Sequence, residues 1–491
     1  MYIGSQNQLK AYDQYLMDHG YSIYELVDKA SDCLKSHFKV YDHIGLLVGP
    51  GNNGADALSL GIKLSNMGKD VKLYYVGDHH KFSPGNQFYF DMCENNNISL
   101  IQLSEDSLAS FQESLQDFEV IGDGFFGFGL NSAPRGLYAT IIALINSHFD
   151  GDVLAIDIPT GLNCNTGQPY ANTLYATKTI ALSALKEGFL NPDSTTFTGE
   201  VIVEELAIDN PFEEAGLLRY FAIDDAKRML KKRKYDGYKN YYGVDLLVAG
   251  SAQYKGAALL AAKGAIASGA GILHVSTAKE VADLLPLYLP EAISEVRPNN
   301  LSHEMLKKFD AICIGPGLGL DMDAYHCFLD VIEHTDCPLI IDADALTILS
   351  NNIDLLDRQK RPVILTPHLG EFRRLCAFSS DDDLMEVAVS FAKEHHCILV
   401  LKGPHTIVTD GQHSYRNASG NKAMAVGGMG DTLAGIMTAF LGSHYQAIEA
   451  AMLAVFVHGF AGDLVAQENY TVLPEALSKV IPHAMYLIEE Q

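Results

Sequence analysis

Residues 44–64 have the sequence IGLLVGPGNNGADALSLGIKL, in which a short apolar run, a glycine-rich turn and a helical pattern follow one another. The apolar run, 44–48, predicts a buried strand, and the apolar spacing over 55–67 predicts a helix. A strand followed by a tight turn and a helix is the repeating unit of a parallel sheet. The turn itself, 49–54, has the spacing GxGxxG, which is compatible with an anion-binding turn or with a purely structural turn.

The same alternation recurs on both sides of this stretch. In the first half, strands are predicted at 44–48, 71–76, 120–121, 153–156, 179–182 and 201–203, with helices at 9–17, 23–34, 55–67 and 136–147. In the second half, strands are predicted at 244–249, 272–275, 311–314, 339–341, 363–365, 398–401 and 406–408, with helices at 431–441 and 448–467. The pattern predicts an α/β protein with two doubly wound α/β/α domains.

We place these domains at residues 1–215 and 236–491, joined by a linker at 216–235. The linker contains the basic run Lys231-Lys-Arg-Lys234. Such a run is compatible with a nucleic-acid or membrane patch, or with the solvated end of a linker helix, and the acidic composition of the chain favours the helix end.

Composition narrows the class of protein. The chain has 491 residues, 48% hydrophobic and 20% charged, with a formal net charge of −26. These values exclude a disordered or fibrous chain, and the excess of acidic residues in both halves argues against nucleic-acid binding. The eight cysteines form no CxxC pair, the first residues lack a signal-peptide pattern, and the apolar stretch 432–448 is interrupted by polar residues. We therefore expect a cytoplasmic protein without a nucleic-acid or membrane partner.

Three loops in the first half follow predicted strands, and in a parallel sheet the carboxyl ends of the strands meet at the ligand-binding edge. These loops carry Asn52, Asn53 and Asp56, then Asp123, and then Asp157 with Thr160. Two adjacent carboxamides and a carboxylate in one turn indicate a bound ligand. The oxygens of Asn53, Asp123 and Thr160 carry little charge, which suits K⁺ better than a transition metal.

The second half contains NKAMAVGGMGDTLAG at residues 421–435, where three glycines run directly into a predicted helix. Backbone N–H groups in such a turn, together with the helix dipole, form an anion hole for a polyphosphate. Asp431 lies in the first helical turn, where a carboxylate accepts a proton from a hydroxyl attacking a phosphoryl group or merely caps the helix. The neighbouring motifs favour the catalytic role.

Four further loops follow strands in this half. His368 lies in one and Lys402 in the next, where a cation and a backbone turn are available to phosphates. Glycine-rich strand ends at 250–257 and 315–319 add two more. Asp342 and Asp344 end another strand, where they either serve a Mg²⁺-nucleotide or have a structural role.

Residues 1–215 resemble the NAD(P)HX epimerase domain of the YjeF N-terminal type, on the strings VGPGNNGADALSLGIKL, GDGFFGFGL and AIDIPTGLN. The resemblance implies a Rossmann-like fold, K⁺ at Asn53, Asp123 and Thr160, and Asp157 as the acid or base. The implied contacts with the hydrated dinucleotide are Asn52, Asn53, Gly54, Ala55, Asp56, Gly127, Phe128, Gly129 and Leu130. The chain departs from the family pattern at Ala55, Ala57, Phe128 and Thr160. An alanine in place of glycine adds a Cβ that can block close approach of a ligand.

Residues 225–491 are similar to the ADP/ATP-dependent NAD(P)H-hydrate dehydratases of the ribokinase-like superfamily. The ordered motifs are AGSxxYxGA, GPGLG, DADAL, TPHxGE, LKG and GNxxMAxGGxGD. The resemblance implies that Asp431 is catalytic and that Ala257, Gly317 and His368 contact the hydrated dinucleotide. The implied nucleotide contacts are Lys402, Gly403, Pro404, His405, Thr406, Asn421, Gly427, Gly428, Met429 and Gly430.

Together the two resemblances imply a bifunctional NAD(P)H-hydrate repair enzyme. The first domain would interconvert the (R) and (S) epimers of NADHX or NADPHX, and the second would dehydrate the (S) epimer to NAD(P)H. The implied co-substrate is ADP or ATP with Mg²⁺, K⁺ is the further cofactor, and a homo-oligomer is expected. Two alternatives are a dehydratase whose first domain only binds a ligand or partner, and a ribokinase-like small-molecule kinase.

Overall fold

The computed structural model describes residues 2–206, 212, 217–379 and 382–490 and divides into two compact units, Met1–Arg219 and Tyr220–Gln491. The boundary predicted from the sequence, between residues 215 and 216, lies outside the described residues. The predicted linker, 216–235, contains a strand and a short helix in its described part. Each unit is described separately below.

The first unit alternates strands and helices. Its strands are β1 (Tyr2–Gly4), β2 (His43–Val48), β3 (Asp70–Val76), β4 (Ser99–Leu103), β5 (Val120–Gly124), β6 (Asp152–Ile156), β7 (Lys178–Leu182), β8 (Leu185–Lys186), β9 (Glu200–Glu204) and β10 (Leu218–Phe221), the last of which runs into the second unit. Its helices are α1 (Gln6–Asp18), α2 (Ile23–Phe38), α3 (Asn52–Asn66), α4 (Pro84–Asn95), α5 (Leu108–Ser114), α6 (Leu137–His148) and α7 (Thr195–Thr198).

Seven parallel strands form the main sheet in the order β4-β3-β2-β5-β6-β7-β9. The order reverses between β2 and β5, which is the topological switch point of a doubly wound sheet and the usual place for a ligand. Along β2, Leu46 packs with helices α2, α3 and α4, whereas Leu47 packs with α5 and α6. The sheet is therefore covered on both faces, which confirms the predicted α/β/α fold.

Local sequence sets the helix ends of this unit. Ser5 and Ser22 begin α1 and α2 with capping boxes, in which the serine side chain and a residue three positions later satisfy each other's backbone N–H groups. Helix α3 begins after Gly51 and has no side-chain cap. Its first N–H groups remain available to a ligand.

The second unit has strands β11 (Val244–Val248), β12 (Ile272–Thr277), β13 (Ile293–Val296), β14 (Ala311–Ile314), β15 (Leu339–Ile341), β16 (Val363–Leu365), β17 (Ile398–Leu401), β18 (Ile407–Thr409) and β19 (Ser414–Asn417). They pair in the order β13-β12-β11-β14-β15-β16-β17-β18-β19. The pairs are parallel from β13 to β17, and the last two strands add antiparallel pairs. Here the switch point lies between β11 and β14.

The helices of the second unit are α8 (Ile223–Met229), α9 (Lys255–Ala267), α10 (Lys279–Ala282), α11 (Leu285–Tyr288), α12 (His303–Leu306), α13 (Met322–His334), α14 (Asp344–Leu349), α15 (Asp354–Asp357), α16 (Leu369–Leu375), α17 (Leu384–Glu394), α18 (Met429–Gly442), α19 (Ala447–Ala466) and α20 (Pro474–Glu490). Leu247 of β11 packs with α9, α18 and α19, and its neighbours Leu246 and Val248 are also buried. Both faces of this sheet are therefore covered.

The structure shows where the apolar C-terminal segment and the basic run of the second unit lie. Helix α19 is long and apolar enough to cross a membrane, but 72% of its apolar window is buried inside the unit, as in the core helix of a globular domain. The basic run at 231–234 follows α8 and is exposed, as expected for a solvated helix end.

Candidate active sites

The turn between β2 and α3 is fixed by close backbone packing. The Nδ2 of Asn86 donates to the carbonyl oxygens of Gly49 at 2.7 Å and Gly51 at 3.1 Å. A Cβ on Gly49 would lie 1.6 Å from the carbonyl oxygen of Phe125, and one on Gly54 would lie 2.0 Å from that of Gly49. Only glycine fits at positions 49 and 54, and the turn lies directly against the loop that follows β5.

A cavity of about 540 Å³ opens beside this turn at the switch point of the first sheet. Its wall is made by α1, α2, α3 and the loops after β5, β6 and β7. It brings together most residues predicted for this site, namely Asn52, Asn53, Asp56, Gly127, Phe128, Gly129, Leu130 and Asp157. The volume is of the size expected for a small-molecule site.

Gly54 and Ala55 differ from the expectation, because neither lines the cavity. The helical period of 3.6 residues puts positions 52, 53 and 56 on one side of α3 and positions 54 and 55 on the other. Ala55 is fully buried in the core, where a Cβ on Gly85 of α4 would lie 4.0 Å from its methyl group. The Ala55 Cβ therefore does not obstruct a ligand, and the same holds for the buried Ala57.

Asp157 lies at the carboxyl end of β6 with a left-handed backbone, φ 71°. Its Oδ1 forms an ion pair with the Nζ of Lys186 and accepts a hydrogen bond from the N–H of Leu182 at 3.2 Å. Lys186 is 1% exposed and also donates to the carbonyl oxygens of Leu182 at 2.9 Å and Ala184 at 3.0 Å. Such a non-glycine residue in a left-handed conformation at a cavity is typical of a functional position.

Two further carboxyl groups line the same cavity. Burial, followed by the nearby charge of Asp157, raises the pKa of Asp13 to about 7, and Lys186 opposes the shift. Burial and the charges of Asp157 and Asp13 raise the pKa of Asp56 well above its usual value. The protonated forms of Asp13 and Asp56 are therefore favoured in this cluster.

Asp123 at the end of β5, Thr160 of the loop after β6 and Asn53 of α3 lie beside the loop that follows β5. Asp123 is fully buried and accepts hydrogen bonds from the backbone N–H and hydroxyl of Thr160, both at 2.7 Å, and from the N–H of Phe125 at 3.2 Å. Burial raises the pKa of Asp123 to about 6. The Asn53 side chain faces Gly127, and its buried Nδ2 has no hydrogen-bond partner among the described residues.

These residues fit a monovalent cation. In the described part of the chain no basic side chain pairs with Asp123. A buried carboxylate without a counter-charge, beside a hydroxyl and a carboxamide oxygen, is a donor set of hard oxygen atoms with a single negative charge. A cation there would offset the charge of Asp123.

The second site is built on the start of α18. Gly428 precedes the helix with φ 94°, and a Cβ there would lie 2.4 Å from Leu260 Cδ1, so glycine is required. The helix has no side-chain cap, which leaves its first N–H groups for an anion. The Nδ2 of Asn421, which precedes the turn in sequence, donates to Asp463 of α19 at 2.8 Å.

Lys402 and Asp342 form a half-buried ion pair beside this helix start. The Lys402 Nζ lies 2.9 Å from Asp342 Oδ1, which also accepts from the hydroxyl of Thr366 at 2.7 Å. A Cβ on Gly430 would lie 3.2 Å from the Lys402 Nζ, so the ammonium group reaches the first turn of α18. Burial opposes the charge on Lys402, but the surrounding carboxylates, Asp342 foremost, raise its pKa.

Among the described residues, Asp431 has no such partner. It is half-buried, and burial together with the charge of Asp342 raises its pKa to about 6 although Lys402 lowers it. A carboxyl group with this pKa, next to an uncapped helix start, has the properties of a general base that works near neutral pH.

The loops after β16 and β17 lie side by side, since the N–H of Lys402 donates to the carbonyl oxygen of Pro367 at 2.8 Å. His368 begins α16, accepts from the N–H of Gly370 at 2.9 Å and keeps an exposed ring. In the loop after Lys402, Gly403 and Pro404 are exposed, His405 is partly buried, and the Thr406 hydroxyl donates to the Gly403 carbonyl at 3.2 Å.

Ala257 and Gly317, which are both predicted to contact the hydrated dinucleotide, lie next to each other. Gly317 has φ 59°, and a Cβ on it would lie 2.7 Å from the Cβ of Ala257 at the start of α9. Asp344 accepts from the N–H of Gly319 at 2.8 Å, which ties the glycine loop to α14. Of the two acidic residues after β15, Asp342 is paired with Lys402, whereas Asp344 has no basic partner among the described residues and is the better placed of the two for Mg²⁺ held mainly by phosphates.

Several site residues carry no motif that sequence reasoning could have used. Asn86 fixes the turn after β2, Asp13 and Lys186 face Asp157, and Asp463 holds Asn421. His458 of α19 is a further example, because burial lowers its pKa to about 4 and its Nε2 lacks a partner among the described residues. Only the packed structure brings these side chains to the sites.

Comparisons with known proteins agree with this division. Residues 23–188 match the family model described as YjeF-related protein N-terminus, and residues 245–483 match the model described as NAD(P)H-hydrate dehydratase. The chain is 32% identical over 439 residues to the bifunctional NAD(P)H-hydrate repair enzyme Nnr of Thermofilum pendens, which covers 86% of this chain and 83% of that protein. The enzyme of the same name from Coxiella burnetii is 30% identical, with 94% of each chain covered.

Solved structures are similar to the second unit. An ADP/ATP-dependent NAD(P)H-hydrate dehydratase from Bacillus subtilis, co-crystallised with ATP/Mg²⁺, is 32% identical with a TM-score of 0.51 and covers 55% of this chain and 99% of its own. A ribokinase-like superfamily protein from Enterococcus faecalis is 31% identical with a TM-score of 0.51, over 56% of this chain and 97% of its own. The predicted ribokinase-like fold is confirmed.

Proposed function

The chain belongs to the family of bifunctional NAD(P)H-hydrate repair enzymes, and from that premise we propose how each unit takes part in the repair. The enzyme restores NAD(P)H from its hydrate. The second unit dehydrates the (S) epimer with ADP or ATP, and the first unit interconverts the (R) and (S) epimers. Family membership favours this function over a small-molecule kinase.

In the second unit, Asp431 is the general base. The substrate hydroxyl attacks the terminal phosphorus of ADP or ATP, its proton passes to Asp431, and the shortened nucleotide leaves. Phosphate then departs from the ring carbon while the adjacent carbon loses a proton, which restores the dihydronicotinamide. The observation that supports this role is the half-buried Asp431 with a pKa of about 6 beside the start of α18.

The phosphates bind at the N–H groups of Gly427, Gly428, Met429 and Gly430, with Lys402 as the neighbouring cation. The residues that come after Lys402, Gly403 to Thr406, contact the nucleotide through their backbone. Mg²⁺ enters with the nucleotide, and Asp344 is the carboxylate available to it. Ala257, Gly317 and His368 line the side on which the hydrated dinucleotide binds.

In the first unit, the nicotinamide end of the substrate occupies the cavity of about 540 Å³. Asp157, paired with Lys186, is an acid–base group at the cavity wall. Asn53, Asp123 and Thr160 hold K⁺, which would neutralise the buried Asp123 and keep the loops after β5 and β6 in place. The other contacts are those α3 and loop residues that line the cavity.

The first test is recovery of dihydronicotinamide absorbance from a mixture of both NADHX epimers, with Mg²⁺ and K⁺, using ADP and ATP separately. Full recovery is expected with one of them. Recovery that stops at the fraction of one epimer would show that the first unit does not epimerise, and no recovery with either would contradict the assignment. Asp431→Asn should remove recovery, whereas Asp157→Asn should leave only the faster fraction.

The pH dependence gives a second check on Asp431. A base must be ionised, so kcat/KM for dehydration of the (S) epimer should rise with pH through about 6. An ordinary exposed aspartate would place this limb near pH ~4.

The assembly and cellular location are also part of the proposal. We expect a homo-oligomer in the cytoplasm. The strand β13 is the outer strand of the second sheet, and it exposes Ile293 and Val296 next to Leu287 and Tyr288 of α11. An exposed apolar strand edge of this kind favours association. Light scattering after size-exclusion chromatography would report a monomer if the proposal is wrong.

A further inference from the structure

Asp13 is, with Asp56, one of two acidic residues on the cavity wall whose carboxyl groups have no hydrogen bond or ion pair among the described residues. It lies on α1, is half-buried and faces the cavity. In the described part of the chain no hydrogen bond or ion pair holds it, whereas Asp18 of the same helix accepts from Gln14 at 2.8 Å. A carboxyl group on a cavity wall without a structural bond is available to a ligand.

The groups facing Asp13 divide into two classes. Asp157 and Asp56 are acidic, and Lys186 and Lys10 are basic. Lys186 is committed to Asp157 by its ion pair and to two backbone carbonyls, and Lys10 is exposed. The arrangement therefore leaves Asp157 with a cation and Asp13 without one.

Burial and the charge of Asp157 raise the pKa of Asp13 to about 7, so the group is largely protonated below neutral pH. Two carboxyl groups in one site, one paired with a cation and the other neutral, form the arrangement that separates an acid from a base.

From this geometry we propose that Asp13 and Asp157 are the acid–base pair of epimerisation, acting from different walls of the cavity on the two faces of the hydrated ring. The inference rests on the proposed function of the first unit. Asp13 reaches the site from α1 and Asp157 from the end of β6, so a ring between them presents one face to each carboxyl group.

Each inversion takes one proton from Asp13 and delivers one proton to Asp157. The carboxylic acid of Asp13 gives its proton to the ring hydroxyl, the C–O bond breaks, and water leaves as the ring nitrogen lone pair forms a C=N bond. A water molecule then adds to the opposite face, its proton passes to the Asp157 carboxylate, and the electron pair returns to nitrogen. The product is the other epimer, and the reverse reaction uses the two groups in exchanged roles.

The decisive experiment follows conversion of one purified epimer to the other by NMR in the full-length protein. No nucleotide is added, so that the second unit cannot dehydrate the substrate. Asp13→Asn should slow epimerisation by about 100-fold or more, the range expected for loss of a general acid. Asp18→Asn, on the same helix, should not change it. Dehydration of the (S) epimer by Asp13→Asn after ADP or ATP is added should equal that of the unaltered protein.

Two measurements on the unaltered protein test the same inference without relying on a folded variant. In H₂¹⁸O each inversion should introduce one solvent oxygen, and kcat/KM should fall as pH rises above about 7. Inversion without solvent oxygen would overturn the proposal, as would an Asp13→Asn variant as fast as Asp18→Asn. If the unaltered protein does not epimerise at all, the proposed function of the first unit fails instead.

Discussion

Both units place a lysine beside acidic residues at the carboxyl edge of a parallel sheet, but the lysine binds a different kind of partner in each. In the first unit Lys186 is paired with Asp157, the residue that faces the cavity. In the second, Lys402 is paired with the buried Asp342, and Asp431 keeps a pKa of about 6. The lysine thus accompanies the proposed acid–base group in the first unit, whereas in the second unit it accompanies a neighbour of that group.

The largest expected effect comes from removing the unpaired carboxylate. Asp431→Asn should lower the rate of dehydration by about 1,000-fold, within the range for a general base, and leave epimerisation unchanged. The measurement is dehydration of the purified (S) epimer with ADP or ATP. Asp323→Asn is the matched control, because Asp323 also lies in the first turn of a helix, α13, and is exposed. Equal losses in both variants would reduce Asp431 to a helix-capping residue.

The paired carboxylate should respond differently, with a loss of stability as well as of activity. Lys186→Met leaves the 6%-exposed Asp157 without its cation, and breaking a buried pair costs about 3–5 kcal/mol. Denaturant unfolding should show this loss, and epimerisation should fall about 100-fold. Lys39→Met, at an exposed lysine at the end of α2 that does not line the cavity, should do neither. A fully stable Lys186→Met variant would contradict the comparison.

The interior of the sheets is where the sequence was most informative. The strands at 311–314, 339–341, 363–365 and 398–401 have the predicted bounds, because a strand buried on both faces is a continuous apolar run. Strands β4, β13 and β19 were missed, since they are partly exposed and their sequences mix polar with apolar residues. Strands β4 and β13 lie at the edges of their sheets, where burial does not impose a pattern.

Some residues of the two sites were also predictable from the sequence, and others were not. Turn residues such as Asn53 and Asp431 lie in the turns where helices begin, at the carboxyl edge of each sheet, so their position was predictable from topology. Lys186 was not, because in sequence it is one lysine after a short strand, and only tertiary packing buries it against Asp157. Ala55 was predicted to contact the ligand from the family resemblance alone. The helical period instead directs its side chain towards the core.

The two units also differ in the central strand at each switch point. The second residue of β2 is the buried Ile44, whereas that of β11 is Asp245, which is fully buried against Gly442. Neither oxygen of Asp245 has a hydrogen-bond partner among the described residues, and burial raises its pKa well above the usual value. The folded protein therefore holds Asp245 protonated, while the unfolded chain ionises it above about pH 4.

Asp245 therefore makes the free energy of unfolding depend on pH. As pH rises above about 4, ionisation favours the unfolded chain, so Asp245 progressively lowers stability until the folded group also ionises. Asp245→Asn should raise the free energy of unfolding at about pH 7 by about 1–4 kcal/mol, because each pH unit over which only the unfolded chain ionises is worth about 1.4 kcal/mol, and give no gain at about pH 3. Asp236→Asn, at an exposed position, is the control. A gain that does not depend on pH would show that Asp245 does not titrate with folding.

The smallest effect is expected at Ala55, and it bears on whether the first unit is catalytic. Ala55 faces α4 and not the cavity, so Ala55→Gly should change epimerisation less than about twofold while costing about 1 kcal/mol of stability through helix propensity. Ala265→Gly in α9, also buried in a helix, should show a comparable cost. If Ala55→Gly instead raised epimerisation about tenfold or more, the alanine would be restricting the site, and the first unit of this chain would be an impaired epimerase.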